Sequence, residues 1–179
     1  MALYTGKGDT GTTSLLCGKM TKSDARAFAI GSLDTLHAEV IGTTMVAGLD
    51  LVVKISNKIM NANSFLASNG TKDEFNLSTD DVKELESMID RFKPKNVVRK
   101  FVVAVKPFDL GFYHLNRCRT ATREAERMVN RLEDCGDLTQ IMAWMNRLSS
   151  VYYTLMLHRA ESENLEIIYR EVNNLQGGR

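Results

Sequence analysis

The segment Tyr4-Thr5-Gly6-Lys7-Gly8-Asp9-Thr10-Gly11-Thr12-Thr13 concentrates residue types that bind phosphate. Its ten positions hold three glycines, four threonines, one lysine and one aspartate. Glycines this close together weaken a helix or strand and make sense where backbone must approach a ligand. Exposed N–H groups, hydroxyls and a lysine together suit a polyphosphate. Gly6 to Gly11 matches G-x-G-x-x-G, but a dinucleotide-binding turn needs a strand before it, a helix after it and an acidic residue about 20 positions on. Here five residues precede the match and a second loop, Cys17-Gly18-Lys19, follows it. The same segment has P-loop spacing, but Thr12 stands where the lysine belongs. The bland alternative is a loose N-terminal segment that binds nothing.

A second set of residues lies far along the chain. Arg119, Arg123 and Glu126 follow i, i+4, i+7 and fall on one line of a helix. On pattern alone, Arg123 and Glu126 also read as a solvated i, i+3 pair worth a few tenths of a kcal/mol. Asp34 sits within an apolar helical stripe, where a carboxylate is expensive to bury unless a cation meets it. Asn146 is a polar residue on a later helix that could cross-link to its neighbour. A polyphosphate loop needs cations nearby, and the two arginines could supply them. His37, His114 and His158 are dispersed and read as hydrogen-bonded core residues rather than ligands.

The elements that must position these residues are helical. Ser23 or Asp24 caps a helix to about Val46, ended by Gly48, with Ala27, Ile30, Leu33, His37, Val40, Ile41 and Thr44 on its buried side. Helices are predicted over about 49–67, 78–92, 109–132 and 138–160. Ser68-Asn69-Gly70 closes the first of these, and Ser78 with Asp81 opens the next as a capping box. The run Phe101-Val102-Val103-Ala104-Val105 has strand propensity but no sheet to join, so it reads as an extended buried connection. Residues 161–175 continue in helical composition, and the last four residues should fray. The expectation is an all-α, five-helix up-and-down bundle with an N-terminal glycine-rich phosphate loop. It divides into loop 1–22, bundle 23–160 and tail 161–179 of a single domain.

Bulk properties bound the function. The chain has 179 residues, 44% hydrophobic and 25% charged, which suits one soluble domain with a sizeable core. With 23 basic and 22 acidic residues there is no electrostatic case for nucleic acid or a charged membrane surface. No apolar run approaches membrane-span length, and the N-terminus lacks a signal-peptide core. Cys17, Cys118 and Cys135 lack metal-site spacing and are odd in number. A cytoplasmic protein is expected.

At these residues the chain resembles the ATP:cob(I)alamin adenosyltransferases of the PduO type. Tyr4 to Thr13 resembles their Y-T-K-T-G-D-x-G-T-T loop, and Gly31-Ser32-Leu33-Asp34-Thr35-Leu36 resembles G-T-V-D-E-L. Arg119 to Arg127 resembles R-x-x-x-R-R-A-E-R, and Asn146-Arg147-Leu148-Ser149 resembles N-R-L-S. Arg99-Lys100-Phe101 resembles R-K-F. Order and spacing agree over about residues 3 to 160.

The resemblance implies a homotrimer with ATP bound between subunits. It implies attack of cob(I)alamin on the 5′-carbon of ATP, with triphosphate as leaving group. Thr5, Gly8, Asp9, Gly11, Thr12 and Thr13, with Lys7, would hold the phosphates and Mg²⁺. Arg119, Arg123, Glu126 and Asn146 would line the nucleotide site. Asp34 would pair with Arg119 of a neighbouring subunit, and Phe101 would reach the corrin pocket. A corrinoid reductase is an implied partner. Three departures are plain: Gly6-Lys7 replaces lysine-threonine, Ala104-Val105-Lys106-Pro107 replaces P-G-G, and Glu124 replaces an arginine. They motivate an alternative, a weak or inactive trimeric nucleotide- or corrinoid-binding protein. A third reading is an ATP-using transferase with another nucleophile.

Overall fold

A computed structural model describes residue 6, residues 8–94 and residues 100–170. The glycine-rich segment runs into a hairpin, β1 (Thr12–Leu15) and β2 (Gly18–Thr21), with Thr12 opposite Thr21 and Leu15 opposite Gly18. The sequence reading had only a loop here. The hairpin is tied to the bundle by Cys17 N–H, which donates to the carbonyl of Ala67 at 3.1 Å.

Five long helices follow: α1 (Ala25–Ile41), α3 (Leu49–Ala67), α4 (Thr79–Phe92), α5 (Leu110–Val129) and α6 (Thr139–Ser162). A single extra turn, α2 (Thr44–Ala47), lies between α1 and α3. The expected first helix therefore breaks at Gly42, and the residues after Val129 leave the expected fourth. Side-chain caps start three of the helices. Asp24 accepts from Arg26 N–H at 2.8 Å, Ser78 and Asp81 form a capping box, and Asp109 accepts from Phe112 N–H at 2.6 Å.

The helices close into a ring. α1 packs on α3 and α5, α5 on α6, and α6 on α4. Lys58–Asp81 at 2.5 Å and Lys54–Glu84 then join α3 to α4. The pairings fix the directions. Glu39 meets Arg117 and Gly42 faces His114, so α1 and α5 are antiparallel. Asp109 meets Arg159 and Glu126 meets Asn146, so α5 and α6 are antiparallel. Glu86 meets Arg147 and Phe92 meets His158, so α4 and α6 run the same way. Successive long helices thus alternate up and down, as expected. Leu33, Leu36 and Val40 of α1, Ile59 and Phe65 of α3, and Trp144, Met145, Leu148 and Tyr152 of α6 fill the centre.

The expectations for residues 101–105 and 161–175 need correction. β3 (Phe101–Lys106) pairs antiparallel with β4 (Glu166–Arg170), Phe101 opposite Arg170 and Lys106 opposite Glu166, with a bulge between Val102 and Ala104. The strand is not a buried connection, since Phe101 and Val103 are exposed. The helical reading of the tail fails at Asn164, which takes φ 53°. Asn164 N–H donates to Glu161 O and Leu165 N–H to Ala160 O, the two closing bonds of a left-handed helix stop. The chain then reverses, and Ile167, Ile168 and Tyr169 have the branched and aromatic side chains a strand favours.

Candidate functional site

Thr5 and Lys7 lie outside the described residues. The rest of the glycine segment forms two successive turns: Asp9 N–H donates to Gly6 O at 3.2 Å and Gly11 N–H to Gly8 O at 3.2 Å. Gly6 and Gly11 take φ 66° and 76°, the left-handed region that a side chain disfavours. Lys22 N–H then donates to Gly11 O at 2.8 Å. A Cβ on Gly8 would stand 3.2 Å from Lys22 Nζ, so the Lys22 amine packs against that glycine. Lys22 has no ion-pair partner among the described residues. It is a cation of the loop that sequence distance concealed. The hairpin register places it one residue beyond Thr21, back at the loop entrance. The described loop thus offers the exposed Asp9 carboxylate, the hydroxyls of Thr10, Thr12 and Thr13, and the Lys22 amine.

On α5, Arg119 is half-buried and its Nε donates to Asn116 Oδ1 at 3.0 Å. Burial, then the charge of Arg123, lowers the Arg119 pKa from its usual value. Arg123, one turn on, is exposed and makes no hydrogen bond or ion pair among the described residues. By contrast Arg117, Arg147 and Arg159 hold Glu39, Glu86 and Asp109. The i, i+3 pair of Arg123 with Glu126 is not formed. Glu126 Oε1 instead accepts from Asn146 Nδ2 at 3.3 Å across the α5–α6 contact. Asn146 Oδ1 accepts from Arg147, which also reaches Glu86 at 2.8 Å. Two cations four residues apart, about 6 Å of helix, are left without a counter-ion, and an anion bound beside them would relieve both.

β3 places Phe101 against the same helices. A cavity of about 290 Å³ is lined by Lys100, Phe101, Asn116, Arg119, Tyr153 and Met156. Phe101 itself is 65% exposed, a large apolar surface beside a charged one. A larger cavity of about 890 Å³ between α3 and α4 contains none of the candidate site residues, and its Lys54 and Glu84 are paired to each other.

Asp34 departs from expectation. The buried positions of α1 are Ala29, Leu33, Leu36 and Val40, so Asp34 falls off the apolar stripe and is exposed. Its Oδ1 accepts from Asn63 Nδ2 at 2.6 Å. Asn63 Oδ1 is buried and has no partner among the described residues. No hydrogen bond or ion pair among the described residues joins Asp34 to Arg119, or the glycine loop to Arg119, Arg123, Glu126 or Asn146. Among the described residues the structure therefore gathers two half-sites, the loop with Lys22 and the α5–α6 face, with no bond between them. Sequence reading missed Lys22, Asn63, Asn116 and Tyr153. Asn116 alone left a signal, standing three residues before Arg119 on the same helix line.

Comparison with known proteins gives the geometry a context. The cobalamin adenosyltransferase family matches residues 3–159. The corrinoid adenosyltransferase PduO of Salmonella typhimurium is 29% identical over 97% of this chain, which spans 54% of that protein. A corrinoid adenosyltransferase of Bacillus subtilis is 26% identical, with 97% and 98% of the two chains covered. Among solved structures, a variant PduO-type ATP:corrinoid adenosyltransferase of Lactobacillus reuteri complexed with cobalamin and ATP superposes with TM-score 0.83 at 23% identity, covering 97% of each chain. A second variant of that enzyme complexed with ATP gives TM-score 0.80 at 24% identity, covering 94% of this chain and all of the other. These two likenesses establish the shared fold.

Proposed function

The chain belongs to the cobalamin adenosyltransferase family, and from that premise we propose that it transfers the 5′-deoxyadenosyl group of ATP to a reduced corrinoid. In this reaction the cobalt lone pair of cob(I)alamin forms the new bond to C5′. The C5′–oxygen bond breaks, and its electron pair leaves with triphosphate. Charge therefore builds on the leaving group, and catalysis needs fixed cations there. The observation that carries the reading is Arg119, half-buried with no carboxylate from its own chain among the described residues, with Arg123 exposed and unpaired one turn away.

Arg119 and Arg123 stabilise the leaving triphosphate in this proposal, and Asn146 and Glu126 border the nucleotide. Thr5, Lys7, Gly8, Asp9, Gly11, Thr12 and Thr13, joined by Lys22, clasp the phosphates. Phe101 offers an apolar wall to the corrin. The two half-sites share no bond among the described residues, which supports the working form that the family resemblance implies, a homotrimer in which the loop of one copy meets the α5–α6 face of the next. Asp34, already oriented by Asn63, pairs across that boundary with Arg119. Mg²⁺ fits as an ion carried by the phosphates. No cluster of three or more metal-binding side chains occurs among the described residues, and Mg²⁺ commonly takes only one or two carboxylates beside phosphate oxygens. Asp9 is the carboxylate available. Among the described residues no helix is long and apolar enough to cross a membrane. The proposed setting is the cytoplasm, with a separate reductase supplying the cob(I) state.

Glu124 does not oppose this reading. Residues i and i+1 on a helix lie about 100° apart and do not share a face. The binding-only alternative is therefore an outcome of the test rather than a competing proposal. Folded protein incubated with ATP, Mg²⁺ and chemically reduced cobalamin should yield adenosylcobalamin and triphosphate. ATP binding by calorimetry without either product would leave a binding protein and remove the transferase.

A further inference from the structure

We propose that Cys17 and Cys135 form a peroxide-sensitive thiol pair, in which Cys17 is oxidised first and Cys135 closes on it as a disulfide. Neither thiol takes part in adenosyl transfer as proposed above. Cys17 occupies the tip of the hairpin, between Leu15 and Gly18, and is exposed. Its sulfur accepts from Arg26 Nη1 at 3.2 Å. Exposure together with a cation at the sulfur is the setting in which a thiol is open to oxidation. Cys118 is the contrast within the chain. It is buried in the core, and burial pushes its thiol up to about 12, the condition of an inert structural cysteine.

Arg26 links Cys17 to the third cysteine. Arg26 and Cys135 line one cavity of about 240 Å³, between the start of α1 and the connection from α5 to α6. Both cysteines also rest on the C-terminal turn of α3. Cys17 N–H donates to Ala67 O at 3.1 Å. Gly70 lies so close to the Cys135 backbone that a Cβ on it would stand 2.5 Å from the Cys135 carbonyl oxygen. Burial pushes the Cys135 thiol up, while the Arg26 charge pulls against it and Cys17 adds to the rise. Cys135 is 3% exposed, so an oxidant in solution meets Cys17 first. Closing the bond asks for movement of the hairpin tip and of no helix. The open end of the hairpin, about 10 Å of strand away, joins the glycine loop, so Cys17 stands clear of the boundary proposed for that loop.

The chemistry balances with peroxide as the oxidant. The Cys17 thiolate attacks one oxygen of hydrogen peroxide; the O–O bond breaks, and hydroxide leaves with its electron pair. The Cys135 sulfur then attacks the Cys17 sulfur, the S–O bond breaks, and the departing hydroxide takes the thiol proton as water. Two thiols are oxidised to one disulfide, and one peroxide is reduced to two waters. A transient, redox-sensing disulfide of this kind suits a reducing compartment.

Native protein at low concentration, treated with a slight excess of hydrogen peroxide, should lose two of its three thiols, and its mass should fall by two hydrogens. Its helical circular dichroism should be unchanged. Proteolysis without reductant should release a peptide pair joining residues 17 and 135, which dithiothreitol separates. Cys118→Ser should form the link as native protein does. Cys17→Ser should form no disulfide, and Cys135→Ser should stop at a sulfenic acid on Cys17, trapped by dimedone. A sulfinic acid at Cys17 with Cys135 still free would overturn the proposal. So would a disulfide between two copies through Cys17, or a link that appears only as the helical signal is lost.

Discussion

At the scale of single residues, what separates Arg119 and Arg123 from the chain's paired arginines is that neither meets a carboxylate of its own chain among the described residues. Arg123→Ala should raise the dissociation constant for ATP about 10- to 100-fold, the effect of removing a charge-assisted contact. Arg131→Ala, two turns further and past the end of α5, should change it by less than about two-fold; calorimetry decides. Equal effects would return Arg123 to an ordinary solvated surface. Asp109 makes the opposite case, a charge whose work is structural. Its bonds from Arg159 hold the Asp109 carboxyl below the usual range, against the upward push of burial, and Phe112 N–H adds to them. A carboxyl depressed in the folded state contributes stability above its unfolded pKa of about 3.9, and loses it as pH falls through the folded value. Asp109→Asn should therefore cost about 1–3 kcal/mol at pH 7. Urea titrations should also show a smaller change in stability between pH 5 and pH 2 than native protein shows.

At the scale of elements, helix stops decide the topology more than helix propensity does. Asn69 and Asn164 both take positive φ, and both close a helix with the same pair of backbone bonds. The first was legible because Gly70 follows it, and the second was not, because Leu165 does. Asn164→Gly should leave stability unchanged or slightly raised, since glycine adopts φ 53° freely. Asn164→Ala should lose about 1 kcal/mol, the cost of a side chain in the left-handed region. Thermal melts of the two variants test whether this turn sends the chain into β4. An equal loss from both would place the effect in the asparagine side chain rather than in φ. The five long helices were readable because their apolar positions recur at helical spacing, as in Leu115, Cys118, Ala121 and Ala125 of α5. β3 was recognised as strand-like, but its partner lies some sixty residues away, and such pairing leaves no local trace. Asp34 was misplaced for a related reason. Both faces of α1 are apolar enough that periodicity alone could not say which is buried, and Phe28 and Ile41 remain exposed.

At the scale of the whole molecule, the arrangement of the two half-sites is itself a prediction. The hairpin that follows the glycine loop is anchored at its tip beside the end of α3, through Cys17 and Ala67. In the same region Arg26, Asn69 and Cys135 border a separate small cavity. Arg119 lies at the middle of α5, beside β3. The sequence exposed both half-sites through residue type and spacing, but composition cannot say whether they meet within a chain or between chains. The described structure has no bond between them. A site completed by a second copy makes catalysis separable by mixing. A loop variant, Gly11→Val, would strain a backbone at φ 76° and disable every loop. Arg123→Ala would disable every α5–α6 face. Each variant alone should have little activity. Subunits exchanged between them would form mixed assemblies in which an intact loop meets an intact face at some boundaries. Adenosylcobalamin formation should then recover to a substantial fraction of native activity, rising as the mixture approaches equal proportions. If each site were built within one chain, every site in the mixture would still carry a defect and mixing would recover nothing. The readout thus distinguishes a shared site from an internal one without a structure of the assembly.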